Sequence, residues 1–197
     1  MHMPIHPTAH PTVLPRRRLC AAAALALAAP ALAAAAASAD AAPPAEVAQA
    51  LTSPRLHGSG RLRFFGLHVY DARLWVGDPF VPTRYEDHAF ALELHYARKL
   101  EGAAIAQRSI AEMRRAGPMS DGQAVAWEAA LMRAFPNVVD GDRLTGVHLP
   151  GEAVRFFHNS RVTAAVADPA FGRAFFGIWL AATTSEPDLR RQLIGPA

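Results

Sequence analysis

The order of strand and helix patterns is the sequence feature that most restricts the fold of this chain. Two strand-like segments come first, two amphipathic helical segments follow, and three short strands then precede further helices. A parallel sheet built from βαβ units needs strands and helices that alternate along the chain, and here they are grouped. The order therefore predicts an α+β fold, with an antiparallel β-sheet and helices packed on one face.

The strand segments show the residue types and the alternation expected of a half-buried sheet. Residues 61–76 are rich in aromatic and β-branched side chains, and we interpret them as one long strand that bends or bulges at Gly66. Residues 89–98 alternate regularly, so Tyr96 and Arg98 share a face with apolar side chains. The remaining strand patterns cover residues 143–149, 153–157 and 161–166.

The helical segments carry start and stop signals. A first helix over residues 103–115 is expected to end at Gly117. Ser120 and Gln123 have the spacing of a capping box, in which each side chain satisfies a backbone N–H of the first turn. Asp168 followed by proline is typical of an N-cap and first helical position. Ser185 is expected to cap a last short helix.

The first 39 residues have the layout of a secretory signal peptide. Arg16–Arg18 are followed by an alanine-rich apolar stretch and then by Ala37-Ser38-Ala39, which fits the small side chains that signal peptidase requires. We predict cleavage near Ala39, a mature domain of residues 40–197, and a periplasmic or secreted location. One alternative is an uncleaved membrane anchor, because the apolar stretch is longer than a usual signal core. The other is a disordered alanine-rich tail.

Composition argues against several other classes of function. Arg16–Arg18 account for the whole formal net charge of +3, so residues 40–197 are neutral and lack the basic surface that nucleic-acid binding requires. A single cysteine, Cys20, cannot form a disulfide framework or a cysteine-based zinc site. We expect no metal and no cofactor. After residue 40, no segment has the roughly 18 uncharged apolar residues that a membrane span needs.

Several long segments resemble the chalcone isomerase-like family, most closely its bacterial exported branch. They are GSGRLRFFGLHVYDARLWV (58–76), FALELHYARKLEG (90–102), DGDRLTGVHLPGEAVRFFHN (140–159) and FGRAFFGIWLAATTSEPDLRRQLIG (171–195). The resemblance implies an antiparallel sheet with helices on one face. It also implies one of two activities. Plant chalcone isomerases close a chalcone to a flavanone, whereas their fatty-acid-binding relatives keep the cavity and perform no chemistry.

The resemblance further implies where the polar residues of the isomerases would fall. Those enzymes use a strand Thr, a Tyr, an Asn and a second Thr in the cleft, and an Arg that stabilises the phenolate. The matching positions here are Phe65, Ile105, Glu112 and Ile178, with Arg61 or Arg63 in place of the Arg. Apolar side chains cannot donate to a developing enolate, and losing one such donor costs about 10²–10³ in rate. We therefore expect no chalcone cyclisation.

Four further polar side chains are candidate ligand contacts. His68 and Tyr70 share an apolar strand face, where they either donate into a cavity or are satisfied structurally. Tyr96 and Arg98 lie at the end of another apolar strip. Arg98 either holds an acidic head group by a bidentate contact or extends its charge to water at the sheet edge.

We therefore expect an exported, non-catalytic protein that binds a small hydrophobic or fatty-acid-like molecule between sheet and helices. The expected contacts are Arg61, Arg63, Phe65, His68, Tyr70, Tyr96, Arg98, Ile105 and Ile178. One alternative is an isomerase or intramolecular lyase with another substrate. The other is a cell-envelope interaction module with a protein partner. A cavity that touches Arg61 or Arg63 would favour the binding protein over the interaction module.

Overall fold

A computed structural model describes residues 42–195, and the predicted signal peptide lies outside them. Six strands form one antiparallel sheet in which spatial order follows chain order. The strands are β1 (Arg55–Phe64), β2 (Leu67–Val76), β3 (Phe90–Tyr96), β4 (Arg143–His148), β5 (Val154–His158) and β6 (Arg161–Val166). The helices are α1 (Ala45–Ala50), α2 (Gly102–Ala116), α3 (Asp121–Ala134), α4 (Pro169–Leu180) and α5 (Pro187–Ile194). A 3₁₀ helix spans Pro82–Asp87. The predicted α+β class is confirmed.

Helices α2 to α5 pack on one face of the sheet and enclose the main hydrophobic core. Alternation along the strands sends every second side chain to this face, including Leu74 of β2 and Leu92 of β3. The helices contribute aromatic side chains, above all Phe171 and Phe176 of α4, which are fully buried. Within residues 42–195, no helix is long and apolar enough to cross a membrane.

The opposite face of the sheet is partly covered by the short helix α1. Val47 packs there in a second small core that includes Trp75. Two carboxylates are buried at this face: Glu93 of β3 accepts a hydrogen bond from the Trp75 indole at 2.8 Å, and Glu46 of α1 accepts one from the Thr145 hydroxyl at 2.8 Å. The predicted one-sided arrangement therefore holds for four helices, and α1 lies on the second face.

The predicted long strand over residues 61–76 is wrong, because the chain reverses at its centre. Strands β1 and β2 form a hairpin joined by Phe65 and Gly66, whose φ angles are 48° and 78°. Positive φ at both turn residues is the geometry of a type I′ turn, which favours Asn-Gly. Phe65 gives no such signal, and the left-handed conformation costs a non-glycine residue roughly 1–2 kcal/mol.

The helix signals are confirmed at two of three N-termini. Ser120 and Gln123 form the predicted capping box, and the Asp168 carboxylate accepts the Ala170 backbone N–H at 2.9 Å. Ser185 does not cap α5, since that helix has Glu186 at its N-cap position. The Ser185 hydroxyl instead donates to the Glu112 carboxylate at 2.9 Å.

Candidate functional site

A cavity of about 290 Å³ lies between the sheet and helices α2 and α4. That volume is at the lower end of the range for small-molecule sites, roughly 300–1,000 Å³. A water molecule occupies about 30 Å³ in the liquid, so the space suits about ten non-hydrogen atoms. The apolar side chains of its wall include Leu62, Val69, Leu92, Leu94, Leu100, Ile105, Leu144, Phe156, Phe175, Phe176 and Ile178.

Two buried tyrosines place hydroxyl groups in this apolar wall. Tyr70 of β2 and Tyr96 of β3 are direct partners in the sheet, and their ring centroids are 5.7 Å apart. The Tyr70 oxygen accepts a hydrogen bond from the Trp179 indole at 2.9 Å, which leaves its own proton without an acceptor among the described residues. The Tyr96 hydroxyl has no hydrogen-bond partner within the described part of the chain. Both O–H groups are therefore available to a ligand.

Burial raises the pKa of both tyrosines. A phenolate in this wall would lose its hydration, and for Tyr70 the Trp179 hydrogen bond and the charge of Arg108 offset only part of that cost, so the neutral form is favoured. Tyr70 and Tyr96 thus remain protonated at neutral pH and act as hydrogen-bond donors. Such a pair can bind a carboxylate, a carbonyl or another acceptor.

Charged and exposed residues form the mouth of the cavity. Phe64 at the end of β1 and Arg108 on α2 both line the cavity and are exposed to solvent. The Arg108 guanidinium lies 2.7 Å from the Glu112 carboxylate. Arg98 also lines the cavity, is half-buried, and forms no ion pair with another residue in the range 42–195. The cavity wall therefore includes a cation without an ion-pair partner among the described residues, in addition to the two tyrosines.

Two carboxyl groups in the same wall have pKa values that are shifted in opposite directions. Burial alone would raise the pKa of Glu112, but hydrogen bonds from Arg115 and Ser185 and the charge of Arg108 hold it below its ordinary value. Burial raises the pKa of Glu186, and the nearby charge of Glu112 adds to the effect. Glu112 is therefore a fixed anion that positions the α2 arginines, while Glu186 is the more easily protonated carboxyl.

Five of the predicted contact residues do line this cavity. They are Tyr70, Tyr96, Arg98, Ile105 and Ile178. Glu112, which the family resemblance placed at the Asn position, lines it as well. Their roles toward a ligand remain predictions, but the structure brings them into one wall.

The other four predicted residues lie outside the cavity wall. Arg61 pairs with Asp71 at 2.7 Å, and His68 lies 3.2 Å from the same carboxylate on the outer side of the hairpin. Arg63 donates to the Gly66 carbonyl at 3.3 Å, and Phe65 is 90% exposed in the turn. The hairpin explains their position, because a turn and a register shift between Leu62 and Arg63 replace the expected uninterrupted strand. The cavity-facing residues of β1 are Leu62 and Phe64.

Sequence reasoning missed several cavity residues on helix α2. Arg108 and Ser109 line the cavity together with the predicted Ile105 and with Glu112. These positions are three, four and seven residues apart, so they share one helix face. Once Ile105 was a candidate, that spacing could have identified Arg108 and Ser109 as neighbours on the same face. Trp179 of α4 carried no comparable signal, since its spacing is that of an ordinary core helix.

Comparison with known proteins agrees with this architecture. Residues 35–195 match the model of a family described as chalcone isomerase-like. An uncharacterized protein of Haemophilus influenzae is 31% identical over 104 residues, which cover 53% of this chain and half the length of that protein. The crystal structure of a fatty-acid-binding protein of Arabidopsis thaliana has a TM-score of 0.57 and 11% identity, and the match covers 73% of this chain and 87% of that one. The structural match establishes the fold, and the family match is the stronger statement: this chain belongs to the chalcone isomerase-like family.

Proposed function

We propose that the protein binds a small amphipathic molecule, such as a medium-chain carboxylic acid, and leaves it chemically unchanged. The observation that carries the proposal is the pairing of an apolar cavity with two buried tyrosine hydroxyls whose protons have no acceptor among the described residues. Two hydroxyl donors in an otherwise apolar wall match the few polar groups that orient a ligand in a typical binding pocket. The family and the fatty-acid-binding name of the structural relative support this class of ligand.

The positions of the polar groups define how such a ligand would lie. Tyr96 is the last residue of β3 and Arg98 follows it, whereas the apolar Leu92 lies near the start of the strand, where it pairs with Gly146 of β4. The strand advances about 13 Å from Leu92 to Tyr96, which is comparable to an extended ten-carbon chain. The head group would therefore meet Tyr70, Tyr96 and Arg98, and the chain would extend toward Phe176.

Isothermal titration calorimetry with a series of straight-chain acids tests this proposal. Affinity should rise about fourfold per added methylene, because burying one CH₂ contributes about 0.8 kcal/mol. The gain should stop near ten carbons, when the cavity is full. The alcohol of equal length should bind more weakly than the acid, since it has no charge for Arg98. If no acid in the series showed saturable binding, the proposal would be overturned.

Filling the cavity gives a sharper test. Ile105→Trp adds a large side chain to the wall and should abolish acid binding, whereas Ile105→Val should leave it within about threefold. Both substitutions stay apolar at the same half-buried position, so a difference between them reports cavity volume. Equal affinities in the two variants would show that the ligand binds elsewhere.

An isomerase or intramolecular lyase is the second candidate, favoured by one observation. Glu186 lines the cavity and has a raised pKa, as a general acid requires. Positions 105 and 178 nevertheless carry isoleucines, which supply no donor to an enolate. Conversion of a chalcone or another α,β-unsaturated ketone above its spontaneous rate, lost in Glu186→Gln, would favour this candidate over simple binding.

We also propose that the chain is exported, with cleavage near Ala39. The support is the signal layout of residues 1–39. Expression of the full chain in a bacterium, followed by N-terminal sequencing of the periplasmic fraction, tests it. The expected first residue is Asp40. An intact N-terminus in the cytoplasmic or membrane fraction would contradict the proposal.

A further inference from the structure

The β1–β2 hairpin ends in exposed apolar side chains that have no packing role in the core. Phe64, Phe65 and Leu67 are 52%, 90% and 55% exposed, and we call these three residues together with Arg63 the hairpin tip. The Phe64 and Phe65 rings are in edge contact with their centroids 4.5 Å apart. A group of exposed apolar side chains of this kind marks an interaction surface more often than single exposed residues do.

Phe65 is unfavourable at its position for two independent reasons. Its φ of 48° lies in the left-handed region, at the turn position where Asn or Gly is preferred. Its ring is also almost fully in water. The ring contact given for it is with Phe64, which is itself half exposed, so the hydrophobic core does not offset these costs. The exposed Phe65 side chain therefore indicates a contact with another molecule.

The hairpin tip is continuous with the mouth of the cavity. Phe64 belongs to both, since it lines the cavity and is half exposed. The Arg108 guanidinium lies 6.0 Å from the centre of the Phe64 ring. Arg63 donates to the Gly66 carbonyl and forms no ion pair with a carboxylate in the range 42–195. A surface that touches the tip would thus meet aromatic rings, a free cation and the cavity entrance together.

We propose that the hairpin tip docks on the surface of a lipid bilayer. Exposed Phe and Leu side chains of surface-bound segments bury themselves at the boundary between head groups and acyl chains, and an unpaired arginine is attracted to anionic head groups. A stable protein partner would need a contact of about 800 Å² on each side, whereas the tip offers three apolar side chains around a two-residue turn. Docking would place the cavity mouth against the bilayer, from which an apolar ligand could enter. This link between docking and ligand uptake rests on the proposed function.

Flotation of residues 40–197 with lipid vesicles tests the docking directly, because the apolar stretch of residues 21–39 would itself partition into the vesicles. The probes are vesicles of phosphatidylcholine alone and of phosphatidylcholine mixed with phosphatidylglycerol. We expect binding to both, and stronger binding to the anionic mixture. Phe65→Asn should weaken binding to both vesicles at least about tenfold, because it removes a large apolar side chain from the contact. Arg63→Gln should weaken binding about fivefold, and only to the anionic mixture.

A control variant and a melting temperature distinguish lost docking from misfolding. Val125 on α3 is 70% exposed and far along the chain from the hairpin, so Val125→Ala should float like the wild type. Phe65→Asn should have a higher melting temperature than the wild type, since asparagine suits the turn, and a raised Tm excludes misfolding as the cause of lost binding. Wild-type protein that floats with neither vesicle, or Phe65→Asn that floats as well as the wild type, would overturn the docking. So would flotation that requires a membrane protein in the vesicles.

The cavity variants separate this proposal from the proposed function. Ile105→Trp should lose acid binding and still float, whereas Phe65→Asn should bind acids normally in vesicle-free buffer. Flotation without acid binding in the wild type would remove the proposed ligand and leave the docking intact.

Discussion

At the scale of single residues, Tyr70 and Tyr96 look alike but have different roles. Both are buried neighbours in the same wall, yet Tyr70 accepts a hydrogen bond from Trp179 and Tyr96 has no partner among the described residues. Removing one member of a buried hydrogen bond leaves the other unsatisfied, whereas removing an unpartnered group does not. The two hydroxyls can therefore be separated by substitution.

Tyr70→Phe should destabilise the ligand-free protein by about 1–3 kcal/mol, because it leaves the Trp179 indole N–H buried without an acceptor. Urea unfolding followed by tryptophan fluorescence measures the loss. A change below about 0.5 kcal/mol would show that the indole finds another acceptor. Ligand affinity is expected to fall as well, but stability is the decisive quantity for this variant.

Tyr96→Phe should leave the stability of the ligand-free protein nearly unchanged and lower its affinity for a carboxylic acid about tenfold, the effect expected for one lost hydrogen bond to a charged group. Calorimetric titration of the acid and of the alcohol of equal length measures the effect. A loss that is larger for the alcohol than for the acid would contradict the role of Tyr96 as a carboxylate donor.

At the scale of elements, the docking of α5 on β1 depends on a glycine. A Cβ atom at Gly58 would collide with the Leu193 carbonyl oxygen of α5, which is backbone and cannot move without shifting the helix. Leu193 and Leu189 are buried only because α5 lies this close to the strand. The sequence pattern gives no indication of this contact, since glycine in a strand is equally compatible with a bulge or a turn.

Gly58→Ala should therefore cost about 1–3 kcal/mol, the usual range for overpacking. Gly117→Ala is the matched control, because nothing lies within 4 Å of its added Cβ and its backbone is extended. Thermal unfolding of the two variants should give a clearly lowered Tm for the first and an unchanged or slightly raised Tm for the second. Equal melting temperatures would mean that α5 moves away from β1 without penalty.

The elements also show which local sequence signals were sufficient to predict where a helix begins. Ser120 with Gln123 and Asp168 with Pro169 marked two helix starts correctly, because a cap depends on side chains adjacent to the helix itself. The reversal at Phe65 could not be predicted, since its turn residues are Phe-Gly rather than Asn-Gly. That one error moved Arg61, Arg63, Phe65 and His68 from the expected cavity to the outer surface of the hairpin.

At the scale of the whole molecule, grouping of strands and helices was enough to predict the class but not the shape of the interior. Tyr70 meets Trp179 across 109 residues, and both side chains line the cavity. Such contacts arise from how α4 crosses the sheet, which periodicity does not determine. Ile105 and Ile178 were found through the family resemblance, and Arg108 could have been found by its helical spacing from Ile105, whereas Glu186 became visible only when the helices were in place.

His148 can be used to test how the elements pack together, because it lies where β4, α4 and the 3₁₀ helix meet. A ring nitrogen, Nε2, is 2.9 Å from the Glu86 carbonyl oxygen, which fits an Nε2–H donor, and Nδ1 is buried without a partner among the described residues. The ring packs against Phe90 and Phe176, with centroids 5.1 Å and 5.6 Å away. Burial lowers the pKa of His148 below its ordinary value of 6.5.

The direction of the pH dependence follows from that shift. Below the ordinary pKa, the unfolded chain binds a proton at this histidine more readily than the folded protein does, so acidification favours unfolding. Stability should be greatest above about pH 6.5 and should fall as the pH is lowered toward about 5, before most carboxylates titrate. His148→Gln can still donate to Glu86 but does not titrate, so its stability should fall less over this interval. His95→Gln, at an exposed strand position, should retain the wild-type slope. Urea unfolding across this pH range measures all three proteins, and parallel curves for the wild type and His148→Gln would show that the junction tolerates a charged imidazole.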